Sequence, residues 1–325
     1  MRALRSSFIS MAVIFVCAVN ACAWAQNFPT RPIRFLVGNA PGGGTDFVAR
    51  AIAPKMSEGL GQSVIVENRA GATGVLAAML VAKATPDGYS MMVVTRSTHS
   101  ISPALQNDLP FHPVKDFAAV TLLVNSPNVL VVHPSVPGNT VKEFIAFAKT
   151  KPGALTYGSS GIGSVGHMAA ELFKSVTGTN FVHVPYKGSG AALADLLSGR
   201  LQLMFNGPAS TIAHVHSGKL KALALGGDKR ASGLETVPTF AEAGFPAVEA
   251  AQWYGLVTTA RTPKAVVDRL NREAVRALEM PEVQKILSGS GFDAAPTTPQ
   301  YFAKFLSDDV ARWQKVVKTS GIKLE

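Results

Sequence analysis

The chain has 325 residues, 47% of them hydrophobic and 16% charged, with a formal net charge of +10. Such a composition is globular, and the length allows two cores of ordinary size. The basic residues are scattered and no stripe interleaves them with aromatics, so the charge favours anionic partners and argues against nucleic acid.

Residues 1–25 read as an export leader. Arg2 and Arg5 form a positive start, 8–22 is an uncharged apolar run, and Ala23-Trp24-Ala25 places small residues where a signal peptidase reads them. Cleavage is expected before Gln26, releasing a soluble periplasmic protein. The run is short for a membrane span. Cys22 offers a competing lipoprotein site, but Asn20 is a poor residue inside such a signal. Cys17 and Cys22 are the two cysteines, and both fall in the leader. The mature chain therefore has no disulfide, thiolate metal site or cysteine nucleophile. Its charge, without Arg2 and Arg5, is +8.

Past the leader, short β-branched runs alternate with helical stretches, which predicts α/β layering with mostly parallel strands. A strand over 33–37 leads through a glycine-rich turn to a helix that runs toward Gly59. Thr45 and Asp46 serve as its N-cap candidates, and Pro54 is expected to kink or shorten it. Strands follow at 63–67 and 89–94, separated by a helix over 74–84 and a Pro86-Asp87-Gly88 turn. A β-rich passage, 118–132, is interrupted at Asn125-Ser126-Pro127. Beyond it, strands at 154–157, 180–184, 201–205 and 220–225 alternate with helices over 140–150, 163–177 and 190–198. A strand over 253–258 precedes amphipathic helix over 263–287 and 299–319. The strand pattern fades near Asn125 and between Gly226 and Gln252. This predicts one lobe of 26–125 plus 248–325 and a second, inserted lobe of 126–247.

Two strand-to-helix junctions could carry chemistry. Pro41-Gly42-Gly43-Gly44-Thr45-Asp46 lets backbone approach a ligand at a helix start, where unpaired N–H donors suit a carboxylate or phosphate. No Gly-Lys-Ser/Thr follows, so it is not a nucleotide P-loop. The second junction runs from Tyr157 to Gly166. Its Gly161, Gly163 and Gly166 match G-x-G-x-x-G, yet the next strand ends in Val184-Pro185-Tyr186-Lys187, where a dinucleotide fold needs an acid. Ile162 also breaks G-x-S-x-G, so no nucleophile elbow is expected. Neither turn is a site on its own; two of them on facing lobes would line one cleft. No metal motif stands out among His99, His112, His133, His167, His183, His214 and His216. His167 is expected to bond the second turn structurally. Lys264, Arg269, Arg272 and Arg276 read as a solvated helix face. No metal or cofactor is expected.

Several ordered motifs then resemble one family. They are Phe28-Pro29-Thr30-Arg31-Pro32-Ile33, Pro41 to Asp46, Val64 to Ala72 (VIVENRAGA), Pro86-Asp87-Gly88-Tyr89, His183 to Gly188 (HVPYKG) and Pro238 to Gly244 (PTFAEAG). Across essentially the whole mature chain, this resembles the Bug proteins, the TctC-like receptors of tripartite tricarboxylate transporters. The resemblance implies a type II periplasmic-binding-protein fold, with two Rossmann-like lobes closing on a small carboxylate for membrane transporter subunits. It also implies a monomer and no catalysis.

By the same resemblance, first-lobe contacts are Gly42, Gly43, Thr45, Asp46, Ser97 and Thr98, and second-lobe contacts are Ser159, Ser160, Gly163 and Ser164. Asp46, which would repel an anion, is expected to order its loop instead. Asn206 stands where many relatives carry an aspartate able to pair with a ligand ammonium, which points to a ligand without an amino group: a dicarboxylate, hydroxy acid or aromatic acid. Trp253 or Tyr254 is a candidate apolar wall, Trp253 being the one retained. The alternatives are an exported sensor acting through a membrane kinase and, with less support, an exported hydrolase built on the two turns.

Overall fold

The structure, a computed structural model, describes residues 28–106 and 108–320; the leader expected over 1–25 lies outside the described residues. In chain order its strands are β1 (Ile33–Val37), β2 (Val64–Asn68), β3 (Ser90–Thr95), β4 (Phe117–Pro127), β5 (Val129–Val132), β6 (Leu155–Ser159), β7 (Phe181–Pro185), β8 (Leu203–Asn206), β9 (Lys221–Leu225), β10 (Ala251–Thr259) and β11 (Asp293–Ala294). They form two sheets, ordered β11-β4-β10-β3-β1-β2 and β7-β6-β8-β5-β9.

The helices that cover them are α1 (Gly44–Leu60), α2 (Val75–Ala82), α3 (Ser102–Leu105), α4 (Val141–Lys149), α5 (Val165–Thr177), α6 (Ser189–Leu197), α7 (Pro208–His216), α8 (Lys264–Glu279), α9 (Pro281–Ser288) and α10 (Pro299–Ser320). Each sheet is clothed on both faces. In the first, α1 and α8 bury Val48, Ile52, Met56, Leu270 and Ala274 on one side, while α2 and α10 bury Ala78, Val81, Phe302 and Leu306 on the other. Two separate clusters fill the faces of the second sheet.

The expectation of mostly parallel strands holds for β1 with β2 and β3, and for β6 with β7 and β8. It fails for β10, antiparallel to β3 and β4, and for β5, antiparallel to β8 and β9. The reason is topological. Both strands arrive from the other sheet at the edge where the parallel strands finish, so they can only run back against them. The break expected at Asn125 is also displaced: Asn125 and Ser126 pair with Trp253 and Gln252, and the chain leaves the sheet after Pro127.

Both passages between sheets lie side by side. Asn128 N–H donates to Ala250 O at 2.9 Å, and Gly226 N–H donates to Asn128 O at 2.8 Å. Gly226 has no room for a side chain, since a Cβ there would sit 2.2 Å from that of Ala250.

Helix α1 departs from its expected form at both marked positions. Its N-cap is Gly43, which supplies no side-chain bond, and Thr45 and Asp46 lie inside the first turn. Pro54 does not end it, and the helix continues to Leu60. The proline is exposed, so the carbonyl that loses its partner turns to water, and Ile52, Ala53, Met56 and Leu60 keep the helix on its sheet. The basic face of α8 is not simply solvated either. Arg269 and Arg276 both pair with the buried Glu273 and donate to Gly59 O and Lys55 O at the end of α1.

At the end of β3 a buried arginine ties the first sheet to the returning connection. Arg96 pairs with Asp309 of α10 through Nε and Nη2 at 3.2 and 3.0 Å and with Glu249 at 3.0 Å. Its Nη1 also donates to Ala251 O, and its backbone N–H donates to the Gln252 side chain. Asp309 also accepts from Trp253 Nε1 at 2.7 Å, and Arg312 reaches Glu249 from outside. Removing one partner of such a buried pair leaves an uncompensated charge. Asp309→Ala is therefore expected to cost about 3 kcal/mol or more in urea unfolding, at the lower end of such losses because Glu249 remains. A loss below about 1 kcal/mol would contradict the burial of this pair.

Candidate functional site

Three turns of the first sheet converge where β1, β2 and β3 end. Gly38, closing β1, packs on Gly74 so tightly that a Cβ on Gly38 would lie 2.6 Å from Gly74 Cα. Thr98, in the turn of a π-helix (Ser97–Ile101), donates to Thr73 O at 2.8 Å. The glycine-rich turn is braced from within. Asp46 accepts from Gly42 N–H, Arg50 Nε and Asn68 Nδ2 at 2.9–3.0 Å, and Thr45 donates to Asn39 Oδ1 at 3.0 Å. Burial alone would raise the Asp46 carboxyl, but these donors outweigh it and hold the group below its ordinary range. Asp46 thus orders the loop, and its oxygens are already engaged. The amides of Gly44, Thr45 and Asp46 precede any carbonyl the helical ladder can offer, and Gly43 brings no side chain to cap them.

In the second sheet the turn after β6 is held by histidines. Ser159 is fully buried; its hydroxyl lies 2.7 Å from His183 Nε2 and accepts from Gly161 N–H at 3.1 Å. His167 Nδ1 accepts from Gly163 N–H at 3.2 Å, the structural bond expected of it. The rings of Tyr157, His183 and His167 stack in a column, with centroids 4.7 and 4.2 Å apart. Ser164 caps α5 by accepting from His167 N–H. Ser160 is the exposed member of the turn. The start of α5 also abuts the end of β8, since a Cβ on Gly166 would lie 2.5 Å from Phe205 O. Beside it the buried Asn206 donates to Ser210 Oγ at 2.8 Å.

The two sets of turns meet. Val165 N–H, in the first turn of α5, donates to Ser97 Oγ of the other lobe at 3.2 Å. Around this bond Ile101, Val165, Met168 and Trp313 form a buried apolar cluster, and Leu105 lies 3.3 Å from where a Gly163 Cβ would be. Gly42, Gly43, Thr45, Ser97, Thr98, Ser160, Gly163, Ser164 and Asn206 all stand on these strand-end turns, with Ser159 beneath them.

Trp253 does not stand there. It is 1% exposed, packs edge-on against Phe302 and Phe305 and spends its N–H on Asp309. Its place on β10 turns it into the core, so it forms no cleft wall. The Ser159–His183 pair is a hydroxyl–imidazole contact that the spacing of the chain did not suggest. A hydroxyl with no exposed surface gives a substrate no access, so the pair is structural. Among the described residues there is no group of three or more metal-ligating side chains, and no helix is long and apolar enough to cross a membrane.

The profile of the "Tripartite tricarboxylate transporter family receptor" matches residues 48–322. The chain belongs to this receptor family. BugT of Bordetella pertussis is 33% identical over 313 residues, covering 96% of each chain. Among solved structures, Rpa4515 of R. palustris with adipate is 36% identical, with a TM-score of 0.85 over 91% of this chain and 99% of that one. MatC (Rpa3494) of Rhodopseudomonas palustris, with bound malate, is 33% identical, with a TM-score of 0.82 over 89% and 100%. The fold is that of the two-lobed periplasmic binding proteins, and this receptor is a solute-binding protein rather than an enzyme.

The histidines predict how the receptor responds to acid. Burial pushes His167 down to about 4, with His183 adding to the effect, and burial pushes His99 down to about 3. Both are lowered from 6.5, so between pH 6.5 and 4 the unfolded chain takes up protons that the folded chain refuses. Stability is then full above pH 6.5 and falls as pH drops, by up to about 1.4 kcal/mol per pH unit for each histidine. Thermal melts from pH 7.5 to 4.5 should show this decline, and His167→Asn should flatten part of it. A midpoint independent of pH over this range would contradict the buried neutral imidazoles.

Proposed function

We propose that this receptor captures a small dicarboxylate, hydroxy acid or aromatic acid in the gap between its lobes. We further propose that, as a monomer, it delivers the ligand to the membrane subunits of a tripartite transporter. The observation that carries this reading is the meeting of strand-end turns from both sheets at the Ser97–Val165 bond, together with a helix start on the same strand-end side of the first sheet whose first-turn donors have no cap. In open α/β sheets, ligands sit outside the carboxyl ends of strands. Micromolar binding needs roughly −8 kcal/mol, and each hydrogen bond to a charged group contributes about 1.5–3 kcal/mol, so a handful of donors suffices. Adipate in one relative and malate in another support a ligand with two acid groups.

In this reading the lobes are those of 26–125 plus 248–325 and 126–247, with the first crossing moved to after Pro127, the leader is cleaved before Gln26, and the glycine, serine and threonine groups of the turns hold the acid. Asn206 carries no charge to pair with an ammonium group, so a ligand lacking one is favoured. Calorimetry against adipate, malate, benzoate, aspartate and glutamate tests this. At least one of the first three should bind near micromolar, and the amino acids at least roughly tenfold more weakly. Tightest binding by an α-amino acid would contradict the ligand class.

A further inference from the structure

Successive residues of a strand face opposite sides of the sheet. Trp253 enters the core beside α10, so Tyr254 points to the α1 side, where Phe292 meets its ring edge-on at 5.5 Å. In register Tyr254 is opposite Thr95, the last residue of β3, which places it at the sheet edge from which the Ser97 and Thr98 turn departs. Its hydroxyl reaches the first residue of α1: a Cβ on Gly44 would lie 2.7 Å from Tyr254 Oη. Gly44 therefore leaves the space that the phenol occupies. The second lobe comes close as well. Gly291, next to Phe292, abuts Pro208, with 2.4 Å between its would-be Cβ and the proline Cβ. Pro208 opens α7 two residues after Asn206.

Tyr254 is part-buried, and its Oη makes no hydrogen bond among the described residues and is not closed off from solvent, so the hydroxyl is open to a partner from outside the chain. Burial holds this phenol above its ordinary range, so it remains an O–H donor at any physiological pH.

We propose that Tyr254 is a ligand-contacting residue whose O–H donates to the carboxylate held at the first turn of α1. This rests on the carboxylate-receptor reading. The ring sits edge-on against Phe292, which itself stacks on Phe47, so its position is set before the ligand arrives, and a donor fixed in this way loses little freedom on binding. An O–H to carboxylate bond is short and charge-assisted, and its loss is felt in affinity.

The test is calorimetry of wild type and Tyr254→Phe with adipate and with malate, alongside thermal melts of the unliganded proteins. The variant should melt like wild type and bind the tighter of the two acids roughly ten- to a hundredfold more weakly. Equal binding by both proteins overturns the role of Tyr254 while leaving the receptor reading intact. Binding of neither acid by wild type overturns the dicarboxylate reading and this inference with it. A readout independent of the variant's folding is wild-type protein labelled with 13C at the tyrosine ζ carbon. Adding the tighter acid should shift one buried tyrosine resonance, and a spectrum unchanged at saturation overturns the contact.

Discussion

The N–H groups in the first turn of an α-helix point along the axis toward residues that have not yet entered the ladder, so something outside the helix has to accept from them. In most helices a serine, threonine or aspartate side chain does this. Helix α1 begins instead from Gly43, which has no side chain, while Asp46 turns back to hold Gly42. The donors of Gly44, Thr45 and Asp46 are thus presented outward from a braced turn, where an acid group can complete them. Helix α5 is treated differently: Ser164 caps it from within, and Ser97 of the opposite lobe accepts from Val165. One lobe keeps its helix start open, and the other uses its helix start to meet the first.

The rest of the architecture fixes where these turns stand. Parallel strands bring their carboxyl ends to one edge of each sheet, and β5 and β10, returning antiparallel, bring the two edges together through the paired connections at Asn128, Gly226 and Ala250. Arg96 anchors this junction. It holds Ala251 and Glu249 of the returning chain while pairing with Asp309 of α10, and Ser97, its neighbour, makes the bond to the second lobe. A movement of one lobe against the other would thus pivot on residues that are covalently continuous with these turns.

Much of this was readable from the chain. The glycine run after a β-branched strand marks the first turn because few other sequences permit so close a backbone approach, and the alternation of strand and helix gives the layered fold. Other features depend on partners far away in sequence. Arg96 is a lone arginine until Asp309, 213 residues later, arrives beside it. Trp253 and Tyr254 are both aromatic, and which of them enters the core depends on strand register, which their composition does not encode. The contact between Ser159 and His183 arises because β6 and β7 are parallel neighbours, with Tyr157 opposite His183. Pro54 misleads in the other direction: the helix survives it because the orphaned carbonyl faces water and the opposite face is held by packing.

The central claim is that turns from the two sheets hold one acid between them. A crystal structure of the mature protein grown with adipate or malate tests it most directly. The account predicts a carboxylate within about 3 Å of the α1 first-turn amides, with Ser160 or Asn206 reaching the same molecule from the second lobe. An acid bound elsewhere, or contacted by one lobe alone after closure, would contradict it.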